Sequence, residues 1–288
     1  MDLILLISSV FLSASSAVLG KFYNRKNSGK RDPNRIYTLL QLAAVFVLWC
    51  ILYLTEFTFE AAVLPYALVF GGSFALTNIS IINALKHGPA ALTSLFTSMS
   101  MVLVTIWGLL FWNAPVTPVV IAGLVLVVLS IVLCIYNGKQ NERKVSVKWL
   151  IFATLSMIGN AACSISQRTE QMVFHGEHGK MLMAFATLLS TAAAFVIYLT
   201  GDRSDTKPIL RKTWFLPVLS GVLNVGLNLF VMLLVQSELS PSLIYPVIGV
   251  GGLSVVMIFS QLVFREKLKY WQWIGIALGA AATVLLSI

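Results

Sequence analysis

The chain has 288 residues, of which 58% are hydrophobic and only 11% charged, and its mean hydropathy is +0.88. A soluble protein of this size is about one quarter charged, so the composition excludes a water-soluble globule and indicates a polytopic membrane protein. The net charge of +9 reflects cationic loops on one side of a bilayer, and nucleic-acid binding is not expected.

Apolar runs of about 18 to 25 residues, each able to cross a bilayer as a helix, predict ten spans. In chain order these are 3–20, 36–54, 61–85, 90–112, 116–136, 149–167, 181–200, 214–236, 242–264 and 271–288, joined by short polar segments. The first, Leu3 to Gly20, resembles a signal peptide only superficially. Signal peptides carry positive charge before the apolar region, whereas Lys21, Arg25 and Lys26 follow it here. The run is read as an uncleaved span. Helices are required because lipid offers backbone amides no partner. The cysteines, Cys50, Cys134 and Cys163, all lie inside apolar runs without metal-ligand spacing and read as small buried hydrophobes.

Loops after odd-numbered spans hold 18 of the 20 Lys and Arg, and the opposite side holds only Arg168 and Lys180. The positive-inside rule then places the odd-numbered loops in the cytoplasm and both termini outside. Trp271 and Trp273 fall at the cytoplasmic interface, where aromatic residues anchor helices.

The two halves repeat. Ser9, Ser13 and Lys21 align with Ser156, Asn160 and Arg168 at an offset of 147; Gly71 and Asn78 align with Gly221 and Asn228 at 150. Pro89, Ile106, Leu110 and Gly123 align with Pro241, Ile258, Leu262 and Gly275 at 152. Five spans is an odd number, so the second copy inserts upside down. The expected fold is an all-α integral membrane protein of two inverted five-helix repeats, residues 1–137 and 149–288, joined by a cytoplasmic loop, 138–148. Inverted repeats are a hallmark of secondary transporters, with a site near the midplane between the copies.

The segment Asn83-Ala84-Leu85-Lys86, followed by Gly88-Pro89-Ala90-Ala91-Leu92, resembles the junction of spans 3 and 4 in the ten-helix EamA-type branch of the drug/metabolite transporter superfamily. Phe264-Arg265-Glu266-Lys267-Leu268, with Gln272, Gly275 and Gly279 after it, is similar to that family's junction of spans 9 and 10. The resemblance covers essentially the whole chain. It implies a central cavity lined by spans 1, 3, 4, 6, 8 and 9. Two departures stand out. The family's glycine-glutamate between spans 4 and 5 is Asn113-Ala114 here, and Met101 and Leu253 stand where many members carry a mid-span proline.

Polar residues on those spans form the candidate substrate site. Span 6 carries Ser156, Asn160, Ser164 and Gln167 along one helical face. Span 1 carries Ser9, Ser13 and Ser16, and span 3 Gly71 and Asn78. Span 4 carries Thr93, Thr97 and Ser100, span 8 Asn224 and Asn228, and span 9 Tyr245. Of these, Ser13, Asn78, Thr97, Asn160, Ser164, Gln167, Asn224, Asn228 and Tyr245 are the expected cavity residues, with Arg168 as a possible anion gate. The competing reading is helix packing, in which small residues permit close approach and amides bond across the interface. Asn78-Ile79-Ser80 has the form of a glycosylation sequon but lies within a span.

No Asp, Glu, Lys or Arg occupies the middle of any predicted span. Intramembrane carboxylates mark proton-coupled antiporters and cation binders, so a neutral or zwitterionic solute is expected, with no cofactor, no metal and no enzymatic activity. His175, Glu177 and His178 in HGEHG read as a solvated outer loop. The function expected is secondary transport of a small polar or amphipathic metabolite by a monomer or homodimer in a bacterial cell membrane. The alternatives are a flippase for a lipid-linked head group and a non-transporting scaffold or sensor.

Overall fold

The computed structural model describes residues 2–112, 117–135, 146–235, 241–266 and 268–285, and every regular element among them is helical. The helices are α1 (Asp2–Lys26), α2 (Pro33–Thr55), α3 (Leu64–His87), α4 (Ala90–Ser98), α5 (Ser100–Phe111) and α6 (Pro118–Ile135). They continue with α7 (Val147–Phe174), α8 (Gly179–Leu199), α9 (Thr206–Thr213), α10 (Phe215–Val235), α11 (Pro241–Leu262) and α12 (Tyr270–Leu285). A short 3-10 turn, Ala61–Val63, leads into α3. Prolines at the first turns of α2 and α3 fit because the missing N–H has no intrahelical partner there.

Among the described residues, seven helical stretches are long and apolar enough to cross a membrane: α1, α2, α3 with its 3-10 lead, α4–α5 together, α7, α8 and α10. Much of their outer surface is apolar. Leu3, Phe11, Leu68, Leu110 and Phe195 are among many exposed large hydrophobics. Water would penalise such a surface; lipid solvates it. The chain is a multi-pass membrane protein.

The helices pack in exchangeable pairs. α3 lies along α7 and α8, while α10 lies along α1 and α2; α2 packs against α8, and α6 against α12. The largest core gathers Trp49, Phe70, Cys163, Met181, Ala186 and Val225 from α2, α3, α7, α8 and α10. A second core joins Leu92, Leu95, Phe96, Trp149 and Ala153 to Ile276 of α12.

Three elements depart from the sequence expectation. The fourth span, read as one helix over 90–112, breaks at Met99, whose ψ of −5° departs from the α-helical value. No proline causes this. The hydroxyls of Thr93, Thr97 and Ser98 donate back to the carbonyls of Pro89, Thr93 and Leu95, a pattern that bends helices. The N–H of Val102 then bonds Met99 O, closing a 3-10-like turn at 3.0 Å.

The sixth span runs past its expected end at 167 to Phe174, so Arg168 and Glu170 are helical. It stops where His175 (φ 54°) and Gly176 (φ 79°) adopt the left-handed region.

The segment after span 7, read as a polar loop, contains α9. Its anchor is tertiary. Ile209 is buried with Tyr23, Ile36, Tyr37 and Leu216, and Asn27 Nδ2 donates to Thr213 Oγ1 at 3.2 Å.

Candidate functional site

The α4–α5 pair is joined to α7 by a ladder of polar bonds. Trp149 Nε1 donates to Thr93 Oγ1 at 2.9 Å, Thr97 Oγ1 and Ser156 Oγ share a hydrogen bond at 3.0 Å, and Asn160 Nδ2 donates to Ser100 Oγ at 2.8 Å. The ladder starts at Gly88, where a Cβ would lie 2.2 Å from the Trp149 ring. Only glycine lets the α3–α4 junction settle onto that indole. Thr97 and Asn160 are therefore brought together through their neighbours on one interface. Ser164, one turn further, donates to Asn160 O at 3.1 Å. Gln167 continues the same face, half-buried, and makes no side-chain hydrogen bond among the described residues.

On the opposite pair, Ser13 Oγ donates to Val10 O at 2.8 Å and to Ile248 O of α11 at 3.3 Å. A Cβ at Gly252 would fall 2.0 Å from that hydroxyl. Ser13 thus sits in a close crossing of α1 over α11. Tyr245 lies on α11 as well, but its side chain is outside the described residues.

Asn78 and Asn228 make the same bond. Each donates its amide to the carbonyl four residues earlier, Phe74 O at 2.8 Å and Asn224 O at 2.9 Å. Asn78 is buried; Asn224 and Asn228 are half-buried. Among the described residues, Asn224 engages its side-chain oxygen only with Asn228 Nδ2 at 3.4 Å. No hydrogen bond joins the α7 set to the α10 set among the described residues. Most candidate side chains are thus committed to protein partners, and Asn224 and Gln167 keep the largest share of their hydrogen-bonding capacity.

Two acidic groups, Glu266 and Glu170, lie outside the expected set. At the Lys- and Arg-rich end, Lys21 Nζ is 2.7 Å from Glu266 Oε1 and donates to Leu85 O and Gly88 O. Glu266 Oε2 accepts from Ala90 N and Ser260 Oγ. Arg25 reinforces the cluster through Phe264 O and the Phe264 ring. At the other end Arg168 is exposed and stacks over Trp112 at 5.3 Å. Glu170, two residues on, is fully buried, and among the described residues neither carboxylate oxygen has a hydrogen-bond partner. The apolar run of span 6 ends at Gln167 in the sequence, three residues before Glu170, whereas the helix runs on to Phe174. The helical spacing of Cys163, Ser166, Glu170 and Phe174 was the available signal.

Residues 1–136 match the EamA-like transporter family. The EamA-like match takes in α1 to α6, and with it Ser13, Asn78 and Thr97. The family consists of membrane transporters of the drug/metabolite type, not enzymes. Twenty-six chains of solved structures also match. One of them, a crystal structure of a protein 12% identical, covers 96% of this chain and 96% of its own with a TM-score of 0.59. That likeness bears on the fold alone. No curated protein matches the chain.

Proposed function

We propose that the protein is a secondary transporter that moves a small polar or amphipathic metabolite by alternating access. The observation that carries this reading is a packing pattern that survives exchange of the two halves. α3 meets α7 and α8 as α10 meets α1 and α2, and α2–α8 and α6–α12 map onto themselves. The correspondence reaches single residues. Ser13 aligns with Asn160 at an offset of 147, and Ser100 with Gly252 at 152. Ser13 abuts Gly252, and Asn160 bonds Ser100.

This supports ten spans arranged as two inverted five-helix repeats, 1–137 and 149–288. Such repeats supply two related arrangements open to opposite sides around one midplane site. The site is lined by Ser13, Asn78, Thr97, Asn160, Ser164, Gln167, Asn224, Asn228 and Tyr245, with Arg168 at its outer end. Amides and hydroxyls suit a neutral or zwitterionic solute. The 18-to-2 split of Lys and Arg between the two sides supports both termini outside the cytoplasm.

Reconstituted vesicles loaded with labelled neutral amino acids provide the test. Wild type exchanges solute, and the triple Asn160→Leu, Asn224→Leu, Asn228→Leu variant, folded and inserted, does not. Unchanged flux in that variant sinks the site. Movement of labelled lipid without any solute transfers the reading to a flippase.

A further inference from the structure

Glu170 is a fully buried carboxyl group that the transport site does not use. It lies where the C-terminal end of α7 meets the start of α3 and the start of α8. Below it on α7, Ser166 Oγ donates to Tyr66 O at 2.8 Å, and the Cys163 thiol points at Phe70 O. Above it, the Phe174 ring meets Tyr66 edge-on at 6.0 Å and His178 at 5.8 Å. Glu170 is thus enclosed on the face of α7 that packs against α3.

Three charged groups of the surrounding elements are engaged elsewhere. Lys180 of α8 pairs with Glu56 at 2.6 Å, Glu60 caps Ala62 N at 3.2 Å, and Arg168 lies over Trp112 of the α5 end. Tyr66 of α3 presents its ring to Phe174. His178, at the N-cap of α8, lies within electrostatic reach of the Glu170 carboxyl. An ionised carboxylate removed from water without donors is too costly to persist, and such a group takes up a proton instead.

We propose that Glu170 is a proton-binding site of the transport cycle, holding a proton while α7 is packed against α3 and releasing it to water when that interface opens. The exchange is of a proton alone: the carboxyl O–H bond breaks, the proton passes to water, and the carboxylate left behind is hydrated in the opened mouth. The protein thereby couples its conformational change to the proton gradient through this carboxyl, near the end of the α3–α7 contact. This deepens the transport reading and rests on it.

Cys163 supplies a reporter, because its thiol is buried in the same α3–α7 contact. With Cys50 and Cys134 replaced by serine, maleimide labelling of Cys163 is measured in the purified protein without solute. The rate is divided at each pH by that of the same protein carrying Glu170→Gln, which cancels the pH dependence of the thiol itself. The ratio is expected to rise with pH, by up to about tenfold per pH unit below the midpoint of the carboxyl and levelling above it, since the ionised fraction grows in that way. A flat ratio overturns the proposal. If Glu170→Gln does not fold, Glu170→Asp replaces it: a displaced midpoint supports the site, and an unchanged midpoint overturns it. Absent flux in the vesicle test together with a rising ratio removes the transport reading and leaves proton-linked opening. Intact flux with a flat ratio removes the proton site alone.

Discussion

Lys21 Nζ and Glu266 Oε1 lie 2.7 Å apart, with 13% and 11% of their side chains exposed, and together they tie the end of α1 to the chain between α11 and α12. The sequence aligns Lys21 with Arg168, while the position matching Glu266 at an offset of 152 is Ala114. The first half therefore lacks a counterpart of Glu266 that could hold Arg168, and Arg168 rests on an indole instead. Removing one partner of a nearly buried pair strands the other charge and costs about 3 kcal/mol, the low end for buried pairs. Glu266→Gln and Lys21→Met should each lower the thermal midpoint in detergent, and the double variant should recover about 1–3 kcal/mol of coupling. Arg168→Met should cost only about 0.5–1 kcal/mol, as expected for an exposed cation–π contact. Additive losses at Lys21 and Glu266 would mean that the pair is not a unit.

Gly71 and Gly221 occupy twin positions and make twin contacts. A Cβ would lie 2.5 Å from Ala186 O at the first and 2.6 Å from Gln41 O at the second. Both obstacles are backbone atoms of the neighbouring helix, so the helices themselves must part. Gly71→Ala and Gly221→Ala should each destabilise by about 1–3 kcal/mol, the usual cost of overpacking. Gly72→Ala is the control, since nothing lies within 4 Å of its added methyl; it should be neutral or stabilising by up to about 1 kcal/mol through helix propensity. Equal behaviour of all three in a thermal unfolding series would deny that the glycines mark crossings.

The helices were legible because long apolar runs such as Val119–Leu133 carry no charged residue. The crossing glycines were legible through repetition. What escaped was decided by tertiary context or by hydroxyl chemistry. α9 is eight residues of mostly polar sequence, fixed by the burial of Ile209. The break at Met99 comes from threonine and serine hydroxyls, which leave no mark as plain as proline. Glu170 was hidden because a charge normally ends an apolar run. The nine polar candidates could be named from sequence, but not divided into those bonded to protein and those left with capacity, since that depends on which helix faces which.

Asp202 gives a pH signature to the surface between α8 and α9. The Ser204 backbone N–H, the Ser204 hydroxyl and the Arg31 guanidinium hold its carboxyl down at about 2, from an ordinary 3.8. A depressed carboxylate contributes its stability above the unfolded value and loses it as pH falls through the folded one. The contribution is therefore constant from neutral pH to about 4 and disappears between about 4 and 2. Asp202→Asn should flatten that part of the acid unfolding curve and leave the profile above pH 5 parallel to wild type. A difference in slope near neutral pH would point to another group.

Asn228 and Asn224 should separate in their effects. Asn228 shares its back-bond to the carbonyl four residues earlier with its twin Asn78, so the bond belongs to the helix architecture of both halves. Asn224 matches Phe74, which has no amide. The Asn224 side chain is half-buried, with its oxygen held only at 3.4 Å. Asn228→Leu should lower stability by about 1 kcal/mol, the net worth of a typical hydrogen bond, and reduce transport in proportion to folded protein. Asn224→Leu should leave the thermal midpoint unchanged while lowering solute affinity at least about tenfold, equivalent to about 1.4 kcal/mol of lost polar contact. Asn224→Phe, which copies the aligned Phe74, should behave like Asn224→Leu. The measurement is a solute-dependent shift in thermal midpoint alongside vesicle flux. Should Asn228 control affinity and Asn224 control stability, the division between architecture and ligand recognition on α10 is reversed.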